Sequence, residues 1–170
     1  YVGADDYRLA FAAACYLFAH LEGRGSVLVV GGPGASVTSI PRVRAFHDAA
    51  KEHPGIVIAD TCAGDYLREV ARDAVARRMA AGMTFDGCLA ANDIMAVGVV
   101  DALRAAGRTA AVVGVNAIPE AIAAIKRGDM LATADFNAMR MAFLATECAI
   151  RHVRGEAVPS EIELPVQIVD

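Results

Sequence analysis

Asn92 and Asp93 stand where an uninterrupted apolar run, Cys88 to Ala91, gives way to helical spacing from Ile94 onward. An apolar run without polar alternation reads as a strand covered on both faces, so the pair occupies a strand-to-helix turn. Asp93 is expected to cap the helix, its side chain accepting a first-turn N–H that has no intrahelical partner. That leaves Asn92 without a structural task. Its amide offers both donors and acceptors at the carboxyl end of a strand, where open parallel sheets bind ligands. Removing it is expected to cost affinity and little stability.

Further residues fall at the same kind of position. Arg42 follows the first strand of the series, Tyr66 the second and Asn116 the fourth, and the fifth ends at Asp135 and Phe136. Parallel strands align their carboxyl ends, so these side chains share one edge of the sheet. Guanidinium and amide groups replace the water around a hydroxyl with directed hydrogen bonds. A planar Arg fork can bridge two neighbouring hydroxyl oxygens, and an aromatic face stacks on the C–H side of a ring. Such an array suits a sugar or polyol.

The positioning elements follow from the pattern. Tyr1 to Ala4 reads as a strand end, and Asp5 or Asp6 caps a buried helix running to about Leu21. Apolar strands are expected over Ser26 to Val30, Ile56 to Ala59, Cys88 to Ala91, Ala110 to Val115 and Leu131 to Ala134. Helices alternate with them: Thr38 to Glu52, Tyr66 to Ala81 capped by Asp65, Asp93 to Gly107, a short one opened by Pro119, and Asn137 to Arg154. Strict alternation specifies right-handed crossovers and an α/β, three-layer sandwich with a mainly parallel five-stranded sheet. The tail from Glu156 departs from the pattern, with Pro159, Pro165, a loop and a final strand over Val166 to Val169.

Composition narrows the function. A chain of 170 residues with 56% hydrophobic residues and a formal charge of −4 buries a core and presents no basic surface for nucleic acid. No apolar run approaches the roughly 20 residues of a membrane span. The loop Gly31-Gly32-Pro33-Gly34 is neither a dinucleotide fingerprint nor a P-loop, no Gly-x-Ser-x-Gly elbow occurs, and no histidine falls at an expected strand end. An enzyme is therefore not expected. Cys15, Cys62, Cys88 and Cys148 have no metal-ligand spacing with the histidines, so no metal or cofactor is expected, and the thiols read as free and buried.

The run Leu-Ala-Ala-Asn-Asp-Ile-Met-Ala-Val-Gly, residues 89–98, resembles the matching turn of the periplasmic sugar-binding proteins of ABC transporters, the ribose-binding type. The same fold, the type I periplasmic binding protein fold, serves as the effector domain of LacI-type repressors. Similarity continues segment by segment, but only from the middle of the family's chain onward. It implies that Arg42 is the ligand-binding Arg, four residues before Phe46, with Arg44 structural. Gly64-Asp65-Tyr66 resembles the family's Asp-aromatic pair and implies stacking by Tyr66, and Asn92 matches a ligand-binding Asn. Two positions depart: Asn116 stands where sugar binders usually carry Asp, and Phe136 where the ribose type has Gln. A polyol, a deoxy sugar or a sugar derivative suits Phe136 better than an ordinary pentopyranose.

The resemblance implies a solute-binding component of an ABC importer that closes two lobes around a sugar and presents the closed form to a membrane permease. It implies a C-terminal ligand-binding lobe over residues 1–136, a helix over 137–155 belonging to an N-terminal lobe missing from this sequence, and a hinge-crossing tail with the final strand over 156–170. The location implied is periplasmic, or extracellular and membrane-tethered, although no secretory signal can be read from a sequence that opens at Tyr1. The rival is the effector domain of a LacI-type regulator. Residues 119–128 and the ending Leu-Pro-Val-Gln-Ile-Val-Asp resemble the transport proteins more closely. The helix from Asn137 carries Met139, Phe143, Leu144, Ile150 and Val153, more apolar surface than a solvent-facing helix holds. It is expected to pack on a second copy, on a separate first lobe, or on its own sheet.

Overall fold

The computed structural model describes residues 1–170. A short strand, Val2–Gly3 (β1), precedes α1 (Asp6–His20), whose Leu9, Ala10, Ala13, Ala14, Leu17 and Phe18 form one buried stripe at helical spacing. Next come β2 (Arg24–Gly31), α2 (Ser39–Lys51), β3 (Gly55–Ala63), α3 (Arg68–Ala80), β4 (Gly87–Ala90) and α4 (Asp93–Ala105). The chain continues through β5 (Ala111–Val115), α5 (Pro119–Lys126), β6 (Ala132–Asp135), α6 (Ala138–Val153), β7 (Ile162–Glu163) and β8 (Gln167–Val169).

The main sheet has six strands in the order β3-β2-β4-β5-β6-β8. The first five are parallel, as the alternation requires. The sixth, β8, is antiparallel, pairing Thr133 with Val169 and Asp135 with Gln167, so the tail strand completes the sheet instead of standing apart from it. Helices α1 and α2 cover one face, and α3, α4 and α5 the other. Val27 to Val30 of β2, flanked by β3 and β4, are wholly buried, each such side chain contributing roughly 1.5–3 kcal/mol by leaving water.

Several expectations are corrected. β3 runs to Ala63, well past Ala59, because as an edge strand it tolerates Asp60 and Thr61, one on each face, where Arg78 of α3 and His47 of α2 meet them, and that polarity disguised its length. The expected helix at Tyr66 begins at Arg68 with Leu67 in the cap position, since Asp65 and Tyr66 adopt left-handed backbone conformations that a helix start cannot include. The tail contains β7, which pairs in parallel with β1. All four cysteines are free, but only Cys62 and Cys88 are buried; Cys15 and Cys148 are partly exposed.

Helix α6 does not fold back on the sheet. None of its residues is buried, and its contacts are chiefly with β1. Met139, Phe143 and Val153 are 82%, 68% and 86% exposed. No helix of the chain is long and apolar enough to cross a membrane.

Candidate ligand-binding edge

The chain leaves β2 for β3 on one side and returns to β4 on the other, so the strand order reverses between β2 and β4. That switch point opens a crevice at the carboxyl ends of the two strands. Arg42, on the first turns of α2, reaches into it and is only 6% exposed. Its Nη1 donates to the carbonyl oxygen of Ala91, at the end of β4, at 2.7 Å and to Oδ1 of Asn116 at 3.1 Å. Its Nε donates to Oδ1 of Asp6 at 2.7 Å, and Nη2 lies 2.6 Å from the same oxygen. Arg42, Asn116 and the residue preceding Asn92 are thus joined directly.

These contacts revise the reading of Arg42. Of the five N–H donors of a guanidinium, the contacts leave a single one on Nη2. The fork cannot bridge two ligand hydroxyls. It holds α1, β4 and the turn after β5 together and offers one donor besides. Arg44 faces elsewhere, its guanidinium 4.9 Å from the Tyr7 ring centre and 3.8 Å from Asp48.

The cap expected of Asp93 is supplied instead by Asn92, whose Oδ1 accepts from the backbone N–H of Met95 at 2.9 Å. Asp93 is wholly buried; its Oδ1 accepts from the Thr133 hydroxyl at 2.6 Å and its Oδ2 from the N–H of Ile118 at 2.9 Å. Burial pushes the Asp93 carboxyl above the usual carboxylate range, while the bonds from Thr133 and the neighbouring backbone pull it down. The cap fixes the orientation of the Asn92 amide, because the atom facing an N–H donor must be oxygen. No buried side-chain nitrogen or oxygen lacks a partner, and Nδ2 of Asn92 has none within the chain, so it faces solvent. By the same logic Asn116, with Oδ1 turned to Arg42, keeps Nδ2 free. Both amides present donors.

Tyr66 joins this edge through Thr38, whose Oγ1 lies 2.8 Å from the phenol oxygen. Its ring covers Gly32 so closely that a Cβ there would overlap it. Phe136, after β6, lines a cavity of about 290 Å³ with Asp6, Leu9, Thr38, Arg42 and Met141. A larger hollow of about 600 Å³ lies at the opposite edge, beside the amino ends of β4, β5 and β6, and none of the five expected residues borders it.

Backbone strain marks the same edge. Of the six non-glycine residues with positive φ, five follow the ends of β3, β5 and β6: Asp65 at 52°, Tyr66 at 59°, Asn116 at 122°, Ala117 at 55° and Asn137 at 55°. Each such residue costs on the order of 1–3 kcal/mol, a cost that persists where surrounding contacts over-determine the conformation, and such residues cluster at ligand sites.

Asp6 is the participant that sequence reasoning missed. Asp5 caps α1, accepting from the N–H groups of Tyr7 and Arg8, which frees Asp6 for Arg42. Two acids at a helix start, only one of which can cap it, were the available signal.

Comparison with known proteins identifies the fold and the family. The D-ribose/D-allose-binding protein of Pseudomonas aeruginosa is 29% identical over 175 residues, covering 99% of this chain and 54% of that protein. Among solved structures, an ABC transporter periplasmic solute binding protein from Actinobacillus succinogenes with bound D-allose has a TM-score of 0.96 and 28% identity, covering 100% of this chain and 60% of that one. A Caulobacter myo-inositol binding protein bound to myo-inositol has a TM-score of 0.91 and 29% identity, covering 99% of this chain and 59% of that one. The chain spans about half the length of the curated relatives it matches. With residues 1–157 matching the model of the periplasmic binding protein domain, the chain belongs to that family.

Proposed function

We propose that this chain supplies one lobe of the solute-binding component of an ABC importer, which takes a neutral sugar or polyol between two lobes and delivers it, unchanged, to a membrane permease. The observation that carries the reading is the pair of oriented amides: Asn92 and Asn116 both turn Nδ2 outward beside a buried Arg42 at the switch point of the sheet. Outward donors recognise the lone pairs of hydroxyl, ether or ring oxygens. In this reading Tyr66 and Phe136 contribute apolar faces, Arg42 gives its one remaining N–H, and Asp6 is the nearby acceptor.

Residues 1–136 form the ligand lobe in this proposal, 137–155 belong to the complementary lobe and 156–170 cross the hinge. The bare apolar face of α6 supports this division, since contiguous exposed apolar surface marks an interaction site. The proposed place of action is the periplasm, or the cell exterior with the protein tethered to the membrane. Calorimetric titration of the full-length protein with D-ribose, D-allose and myo-inositol tests the function. Saturable binding of one of them, abolished or weakened by Asn116→Ala, is expected; no heat from any of a broad panel of sugars and polyols would remove the proposal.

A further inference from the structure

Asp93 is the one wholly buried carboxylate of the chain, and its hydrogen bonds come from a hydroxyl and a backbone N–H, with no cation among them. A buried charge held this way is an expensive means of filling a core, where an apolar residue of similar volume packs at no desolvation cost. Its bonds all lead to one place. The carboxylate receives the Ile118 N–H and the Thr133 hydroxyl, and Thr133 Oγ1 in turn accepts from the N–H of Ala117 at 3.3 Å. Residues 116–118 are the turn in which Asn116 and Ala117 both hold positive φ, conformations that neither side chain favours. Gly114 lies under the carboxylate, and a Cβ there would overlap Asp93 Oδ1, so β5 leaves room for it only because that position is glycine.

Asp93 also directly follows Asn92, at the start of α4. One carboxylate therefore joins the turn that carries the first outward amide to the turn that carries the second. We propose that Asp93, with Thr133, is a positioning device that sets the spacing of the Asn92 and Asn116 amides and so determines which arrangement of ligand oxygens they fit. Asp93 itself, closed off from solvent, touches no ligand. The inference rests on the reading of this edge as a sugar or polyol site.

The test uses the full-length protein and three variants, Asp93→Asn, Thr133→Val and Thr133→Ser. Thr133→Val keeps the volume and removes the hydroxyl, and Thr133→Ser restores it. Without ligand, NMR should show the backbone amides of Asn116 and Ala117 and the Asn116 side-chain NH2 displaced in Asp93→Asn and Thr133→Val, and close to the unaltered protein in Thr133→Ser. Calorimetry with D-ribose, D-allose and myo-inositol should show affinity for the bound probe falling about tenfold, the equivalent of roughly one hydrogen bond lost, in the first two variants, with recovery in Thr133→Ser. If Asp93→Asn fails to fold, the Thr133 pair still decides. Unmoved Asn116 and Ala117 signals in Thr133→Val, or unchanged affinity despite moved signals, would overturn the proposal. Moved signals in a protein that binds none of the probes would instead remove the sugar reading and with it the role in recognition, leaving only the positioning of Asn116.

Discussion

Replacing Arg42 by Lys keeps the charge and discards the fork, which makes it the sharpest probe of the edge. A lysine ammonium can follow Asp6, the stronger partner, but one nitrogen cannot also reach the Ala91 carbonyl and Asn116, which the guanidinium holds at 2.7 and 3.1 Å. Ala91 is wholly buried, so a carbonyl left there without its donor costs about 1–3 kcal/mol. Asn116 is half-buried and can turn toward water, which holds its loss to about 0.5–1 kcal/mol. The sum is about 1.5–4 kcal/mol, or roughly 3–16 °C in the thermal midpoint of a chain this size. Urea unfolding of Arg42→Lys should show the midpoint lowered with an unchanged slope. A loss under about 0.5 kcal/mol would mean that the fork is not formed and that Arg42 is a solvated charge.

Asn92→Ala should now lower stability as well as affinity, by about 0.5–2 kcal/mol, because the side chain is a helix cap. Asn92→Asp separates the two roles: denaturation should show the cap retained, and calorimetry should show weaker binding, since an outward acceptor replaces the outward donor. Gly32→Ala should push the Tyr66 ring off its seat and break its bond to Thr38, lowering affinity about tenfold in the full-length protein with little change in melting; equal affinity would deny Tyr66 a part in binding. Asp93 has a sign that pH can check. Its carboxyl is raised by burial, so the folded chain binds that proton more tightly than the unfolded one. Relative to Asp93→Asn, stability should be highest below the ordinary carboxylate pKa, decline as pH rises through the raised folded value and then level off; urea midpoints of the two proteins that keep a constant difference from about pH 4 to pH 7 would refute it.

Strand and helix order was readable because apolar runs alternate with helical spacing, and five parallel strands are the consequence. Which strand lies beside which was not, because pairing is decided by crossovers that leave no local mark. The antiparallel β8 had none either, since three residues carry too little pattern to give a direction. At the site, the positions of Arg42, Asn92 and Asn116 at one edge followed from parallel strand ends, but their partners did not. Asn and Asp are equally good caps, and the choice between Asn92 and Asp93 was made by Thr133, a residue on another strand. Arg42 looked like a free fork because Asp6, its main partner, lies on a different helix.

The antiparallel edge has a consequence for the order in which the molecule assembles. As the chain is synthesised, β6 offers an unpaired outer edge until residues 167–169 emerge and lie against it. Val2 must wait for Ile162 before β1 and β7 can pair, a loop closure that spans nearly the whole chain. The central strands pair through shorter crossovers and can form first, so these two pairings are late events and the first to open again when the folded protein fluctuates. An open β6 edge is a template for another strand. The tail strand therefore acts as a guard that arrives late and leaves early: paired, it closes the β6 edge to strands of other molecules, and the hazard of strand exchange is confined to the intervals when it is absent.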